Sequence, residues 1–300
     1  MYRGQRITQM LLEKEQSDYA LMNRDYSEWY AIDRSLLPPS ISASFYQFSF
    51  DNETQTFINQ SLDTSNALLL QIFYTMASNF LSLFLTKTTI NGILGRGGMF
   101  VFSSLQLKNF LDIDTAWDAI HKKALDLGAG DGQVTEVLSK YFNNISVTEA
   151  STVMLWRLKQ RGFNTVNMDS WSTTGPYDLV SVLNLLDRHY NPYQLIRDLH
   201  IVTTKSNCLL LLTVVLPLKQ YVEFHPYKKS TSPDALLVLR GHSFEEQVVS
   251  LIEDFLVPAN FEVIKWGKLP YLCEGDHVQV NFLRFLFFLE FFAYEINYCI

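Results

Sequence analysis

The sequence predicts an α/β protein: a doubly wound, Rossmann-like parallel sheet preceded by an N-terminal helical extension. Three observations carry this. From residue 122 onward, short apolar runs alternate with stretches of helical spacing, the pattern of parallel strands with helices on both faces. Within that region, Leu125-Asp126-Leu127-Gly128-Ala129-Gly130-Asp131-Gly132 reads as a strand breaking into a glycine turn at the head of a helix. Glu149 then follows the strand-like Ile145-Ser146-Val147-Thr148.

The strands read from these runs are 124–127, 145–149, 164–168, 178–183 and 208–215, with a last one at 261–273. Helical spacing follows the first strand over Val134 to Tyr141. Ser151 is placed to cap a helix that Gly162 ends, and Asn191-Pro192 opens another running to about Val202. Ser243-Phe244-Glu245-Glu246 is a capping box opening a helix to about Val257.

The glycine turn is the most informative feature for chemistry. Glycines at alternate positions let the chain turn tightly and approach a ligand with no Cβ in the way. A helix N-terminus behind them offers free N–H groups, and a carboxylate at the end of the next strand can hold two ribose hydroxyls. A nicotinamide or flavin fingerprint would need glycine at 133, which is Gln. The spacing is instead G-x-G-x-G led in by Asp126, the pattern of class I methyltransferases that use S-adenosylmethionine (SAM). The competing reading is a strand-to-helix turn that binds nothing.

Ligands in such sheets bind at the carboxyl ends of the strands. That rule selects residues 128–132, Glu149, Asp169-Ser170-Trp171 and Asn184 to Arg188. Asp169 is placed to accept a hydrogen bond from an adenine amino group, while Trp171 reads as core. Asn184 and Asp187 stand three residues apart on one turn, where a transferred methyl group should point. A carboxylate accepting one imidazole N–H leaves the other ring nitrogen free to attack. The lesser alternative for Asp187 is a helix-capping acid before the Asn191-Pro192 turn.

Composition bounds the rest. The chain has 300 residues, 48% of them hydrophobic, with 22 Phe and 15 Tyr, which suits a packed globular core. A net charge of −7 and the lack of a basic stripe argue against nucleic acid as a partner. Cys208, Cys273 and Cys299 suit neither a disulfide framework nor a metal site, and His189 and His200 read as structural residues; no metal is expected. Met1 to Glu15 carries charges without the apolar core of a secretory leader.

Residues 1–60 form an extension in which Pro38-Pro39 and Ser40 to Ser44 mark a loop or linker. Residues 61–121 form a helical lead-in and a glycine-rich loop, and 122–277 the α/β domain. The run Ala67 to Leu85 has no charge, but Gln71, Thr75, Ser78, Asn79 and Ser82 recur at helical spacing. That periodicity predicts a buried or capping helix rather than a membrane span. Asn91 to Phe102 holds four glycines around Arg96, either a ligand loop or a connector.

Several strings taken together are similar to the methyltransferase-like protein nine (Drev) family. They are Gly95-Arg96-Gly97-Gly98-Met99-Phe100-Val101-Phe102-Ser103, the glycine turn 125–132, Leu183-Asn184-Leu185-Leu186-Asp187-Arg188, Val215-Leu216-Pro217 with Tyr221-Val222-Glu223, Glu245-Glu246-Gln247-Val248, and Leu269-Pro270-Tyr271-Leu272-Cys273-Glu274-Gly275-Asp276. The resemblance spans roughly residues 60–277. It implies a protein-histidine N-methyltransferase that uses SAM to methylate the N1 (π) nitrogen of histidine in His-x-His motifs of protein substrates, x being small. It also implies roles: Asp126, Gly128 and Gly130 at the methionine end of the cofactor, Glu149 at the ribose, Asn184 and Tyr271 lining the pocket, and Asp187 orienting the target imidazole. An intracellular location, endoplasmic reticulum or mitochondrion, comes with it. A methyltransferase for another protein side chain or a small molecule, and a non-catalytic SAM-binding protein, are the alternatives.

The chain departs from the family pattern in two places. It shows no apolar leader, and residues 278–300 form a Phe- and Leu-rich tail without the expected acidic turn. The tail is therefore read as atypical, with the last strand of the sheet missing or the apolar segment turned to a membrane or partner.

Overall fold

The computed structural model describes residues 2–228, 231–274 and 284–293. In chain order the helices are α1 (Tyr2–Met22), α2 (Pro39–Ala43), α3 (Asn52–Asn66), α4 (Leu68–Leu81), α5 (Lys87–Leu94), α6 (Ser104–Phe110), α7 (Gln133–Leu138), α8 (Thr152–Gln160), α9 (Pro192–Ser206) and α10 (Phe244–Ser250). The strands are β1 (Met99–Phe100), β2 (Lys123–Leu127), β3 (Asn144–Thr148), β4 (Asn164–Thr165), β5 (Leu179–Leu183), β6 (Leu209–Leu216), β7 (Phe261–Cys273) and β8 (Arg284–Ala293).

One eight-stranded sheet has the order β1-β7-β8-β6-β5-β2-β3-β4. Its β6-β5-β2-β3-β4 half is parallel. The order reverses between β2 and β5, which is where an open α/β sheet presents its ligand crevice. Side-chain alternation divides the core into two layers. Leu125, Leu127, Val180, Val182, Leu210 and Leu212 pack on one face with α9 and α10, and Ala124, Leu179 and Leu211 on the other with α6. Strands buried on both faces explain why 208–216 is an apolar run broken only by Thr213 rather than an alternating one.

Three expectations change. First, residues 284–293 are not lost to an atypical tail. They form β8, which inserts antiparallel between β6 and β7 with Leu212 opposite Leu289 and Leu269 opposite Leu286. A Phe- and Leu-rich segment suits a central position whose two edges are both hydrogen-bonded. The remainder of 278–300 lies outside the described residues.

Second, the proposed linker at Pro38 to Ser44 is packed structure. Pro39 starts α2, Trp266 donates its indole N–H to the Ile41 carbonyl at 2.6 Å, and the Tyr46 amide donates to the Trp266 carbonyl at 2.6 Å. Trp29, Tyr30, Phe45 and Phe48 are buried with it. The extension therefore shares the core of the α/β layer.

Third, α4 is not buried. Of its residues only Gln71 is fully enclosed, donating from its side-chain amide to the Thr64 carbonyl at 2.9 Å. The polar stripe that suggested an amphipathic helix is real, but part of it faces the protein and the apolar residues face solvent. Among the described residues no helix is long and apolar enough to cross a membrane.

Candidate active site

The glycine turn follows from the sequence at its tightest points. Gly128, Gly130 and Gly132 have φ of +74°, +57° and +87°, a region closed to most side chains. The amides of Gly128 and Ala129 both donate to the Thr148 carbonyl at 3.0 Å, which ties the turn to the end of β3. A Cβ on Gly128 would come within 3.3 Å of Leu185, whereas one on Gly130 would meet nothing within 4 Å. Open space over Gly130 is what a backbone cradle for a ligand requires.

Glu149 stands at the end of β3, as its position in the sequence predicts. Its carboxylate accepts from the Gly130 amide at 3.0 Å and the Ser151 amide at 2.8 Å. Burial pushes its pKa up against those two amides, with Glu223 adding repulsion. The carboxylate and the glycine turn thus form one unit.

Asp126 lies underneath that unit and is only 2% exposed. One oxygen accepts from Thr135 on α7 and the other from Ser181 on β5, both at 2.7 Å. Burial raises its pKa to about 6 despite these bonds. Both oxygens are therefore engaged in holding α7 and β5 to the turn, a position of support beneath the cradle.

At the end of β5 the chain bends through Asn184, whose φ is +57°, into a short 3₁₀ turn over Leu186–Arg188. The Asn184 side-chain oxygen accepts from the Thr213 hydroxyl at 2.9 Å, and that hydroxyl accepts from the Asn184 amide at 2.9 Å. Asp187 is buried in the turn, and its carbonyl accepts from the Tyr221 amide at 3.0 Å. It does not cap α9: Asn191 does, accepting from the Gln194 amide.

Tyr271 reaches the same region from β7. Arg188 donates to its hydroxyl at 3.1 Å and to Glu223 at 3.3 Å, and the hydroxyl donates to the Met99 sulfur. Glu223 also accepts from Thr88 on α5. Burial works against the Arg188 charge, but Tyr271, Asp187 and Glu223 outweigh it and hold the guanidinium above its ordinary pKa. The Tyr271 phenol is raised mainly by burial. Neither Arg188 nor Glu223 has a role assigned by sequence reasoning; Arg188 falls within the strand-end stretch 184–188, and Glu223 is marked only by its presence in the quoted strings.

The glycine-rich loop at 91–102 serves as a connector with a fixed place. Gly95 closes α5 in the left-handed region, and Glu274 accepts from the amides of Gly97 and Gly98 at 3.0 and 3.1 Å. Met99 and Phe100 pair with Cys273 and Leu272 as β1. Arg96 turns away to Asn91 and to the face of Tyr74. Asp169 is exposed, and Trp171 packs partly buried against the core as read. Among the described residues no three His, Cys, Asp or Glu side chains are grouped to hold a metal.

A parallel sheet, a ligand cradle at its order reversal and a carboxylate at the next strand's end define the class: a SAM-dependent methyltransferase of the class I α/β fold. More specifically, the chain belongs to the DREV methyltransferase family, whose profile matches residues 29–289. Solved structures with a similar fold include a SAM-dependent methyltransferase from Anabaena variabilis, at 10% identity over 69% of this chain and 92% of that one, with a TM-score of 0.43. Another is the magnesium protoporphyrin IX methyltransferase of Synechocystis with bound SAH, at 13% identity over 64% and 82% of the two chains, with a TM-score of 0.39.

Proposed function

We propose that this chain is a protein-histidine N-methyltransferase acting on the N1 (π) nitrogen of histidine in His-x-His motifs. The observation that supports it best is the buried Asp187 carboxylate on the turn that ends β5, beside Asn184. When bound, SAM supplies a methyl group already activated for in-line displacement, so the protein's task is alignment and a free lone pair.

Gly128 and Gly130 let the backbone meet the cofactor, and Glu149 holds its ribose in this reading. Asp126 acts one layer below, keeping α7 and β5 in place. Asn184 and Tyr271 wall the methionine end. Asp187 accepts the Nε2–H of the target imidazole, which fixes the tautomer whose Nδ1 lone pair faces the methyl group. With SAM bound, Asp187 would stabilise the positive charge that the imidazole ring gains on methylation, and the ring's Nε2 proton would then be lost to solvent.

The test is incubation of the purified protein with SAM and a His-Ala-His peptide, with mass spectrometry of the methylhistidine isomers. Methylation at N1 is expected, and none on a peptide with both histidines replaced by Ala. Equal labelling of a Lys-containing peptide would point to a different side chain as acceptor.

A further inference from the structure

The segment from Asn66 to Thr86 carries no charged residue, and its outer surface is apolar to an unusual degree for a folded protein. Leu69 is 82% exposed, Phe84 75%, Leu83 72%, Met76 69% and Phe80 66%. The usual polarity is partly inverted, since Gln71 is turned inward and the Thr75 hydroxyl is spent on the Gln71 carbonyl at 2.8 Å. Water therefore faces leucine and phenylalanine over the length of α4.

The patch continues across α5 onto α8. Ile93 and Trp156 are both exposed and line a shallow depression with Thr152, Val153 and Arg157. Two cations rim it. Arg96 sits over the Tyr74 ring at 5.7 Å from the centroid, and Arg157 lies within 3.3 Å of where a Cβ on Gly95 would stand. Neither makes an ion pair among the described residues. The carboxylates that reach this lead-in are already engaged: Glu223 with Thr88 and Arg188, Glu274 with the amides of Gly97 and Gly98.

We propose that this face rests on an anionic lipid surface, with the leucines and phenylalanines of α4 in the acyl boundary, Trp156 at headgroup level and Arg96 and Arg157 on lipid phosphates. The outward surface of α4 is dominated by aliphatic and phenyl side chains, with Thr75, Asn79 and Ser82 its few exposed hydrogen-bonding groups and no carboxylate on the helix, and the aromatic and cationic residues lie along its margin. It matches what an interfacial helix presents to a bilayer, and the half-buried Arg96 and Arg157 at its edge, neither in an ion pair among the described residues, complement phosphate. Because α5 is bonded through Thr88 and Glu223 to Arg188, a membrane so placed would lie beside the site at the end of β5.

The test uses the full chain and sedimentation with vesicles of phosphatidylcholine, with and without phosphatidylserine. Binding is expected, and is expected to strengthen with phosphatidylserine and weaken with salt. Phe73→Glu with Phe84→Glu should reduce partitioning by at least about tenfold while calorimetric SAM binding is kept, showing that the variant is folded. Arg157→Gln should remove part of the phosphatidylserine preference only. Failure of the wild type to sediment with either vesicle overturns the proposal. So does a light-scattering mass of a dimer that the double variant converts to monomer with no loss of vesicle binding, which would assign the face to a second copy.

Discussion

The Arg188 guanidinium donates to the Tyr271 hydroxyl at 3.1 Å and joins two chain segments 83 residues apart, the turn after β5 and the strand β7. Its other contact is Glu223 at 3.3 Å, so one cation ties together the end of β5, the loop after β6 and β7. A hydrogen bond to a charged group contributes about 1.5–3 kcal/mol, whereas a partly exposed ion pair such as Arg188–Glu223, with side chains 29% and 38% exposed, adds little. The Tyr271 bond is therefore the stronger half of the network. Arg188→Met, Tyr271→Phe and the double variant, compared by urea unfolding, should show a coupling energy of about 1–2 kcal/mol between the two side chains. Strict additivity would mean that the contact does not stabilise the fold.

The glycine turn offers a contrast between neighbouring positions. A side chain at Gly128 would be forced into Leu185 with φ at +74°, while one at Gly130 would enter open space. Gly128→Arg should abolish calorimetric SAM binding. Gly130→Ala should cost about 1–2 kcal/mol in stability from its left-handed backbone and weaken SAM binding without abolishing the fold. Unchanged SAM affinity in both variants would place the cofactor elsewhere.

Asp126 predicts a pH signature. Its pKa in the folded protein is about 6, against an ordinary value of 3.8, so the native state takes up a proton that the unfolded chain does not. For an acid raised in this way the favourable contribution is complete below about pH 4 and is lost as pH rises through about 6; the difference is about 3 kcal/mol. Asp126→Asn removes this titration. The unfolding free energy of the variant relative to wild type should therefore improve by up to about 3 kcal/mol between about pH 4 and pH 7. A difference independent of pH would show that the carboxyl stays ionised in the core.

Asp187 gives the sharpest test of chemistry. Asn191, not Asp187, caps α9. Asp187→Ala should leave SAM affinity near normal and slow methyl transfer by about 10²–10⁴-fold. Asp187→Asn keeps an accepting oxygen and should retain partial activity. Near-normal turnover by a folded Asp187→Ala variant would remove this residue from the mechanism.

Much of the parallel half of the fold was legible because its signals are local. Strand alternation, the glycine spacing and the caps at Ser151, Asn191 and Ser243 depend on residues close in sequence, and each element appears near its expected place. Glu149 and Asn184 could be placed at strand ends by the same logic. Arg188 falls on the same strand-end turn, but its meeting with Tyr271 and Glu223 could not be read, since it depends on where β7 lies relative to β5 and on the loop after β6.

The sequence by itself determined the parallel strands, their connecting helices and the turn where a cofactor can approach the backbone, because backbone sterics and hydrophobic period act over a few residues. Tertiary structure alone decided the rest. Whether 284–293 is a tail or a central strand depends on the open edges of β6 and β7, which no local pattern records. Whether α4 turns its apolar or its polar side inward is equally undetermined by period, since a helical stripe reports that two faces differ and not which one the neighbouring chain will cover.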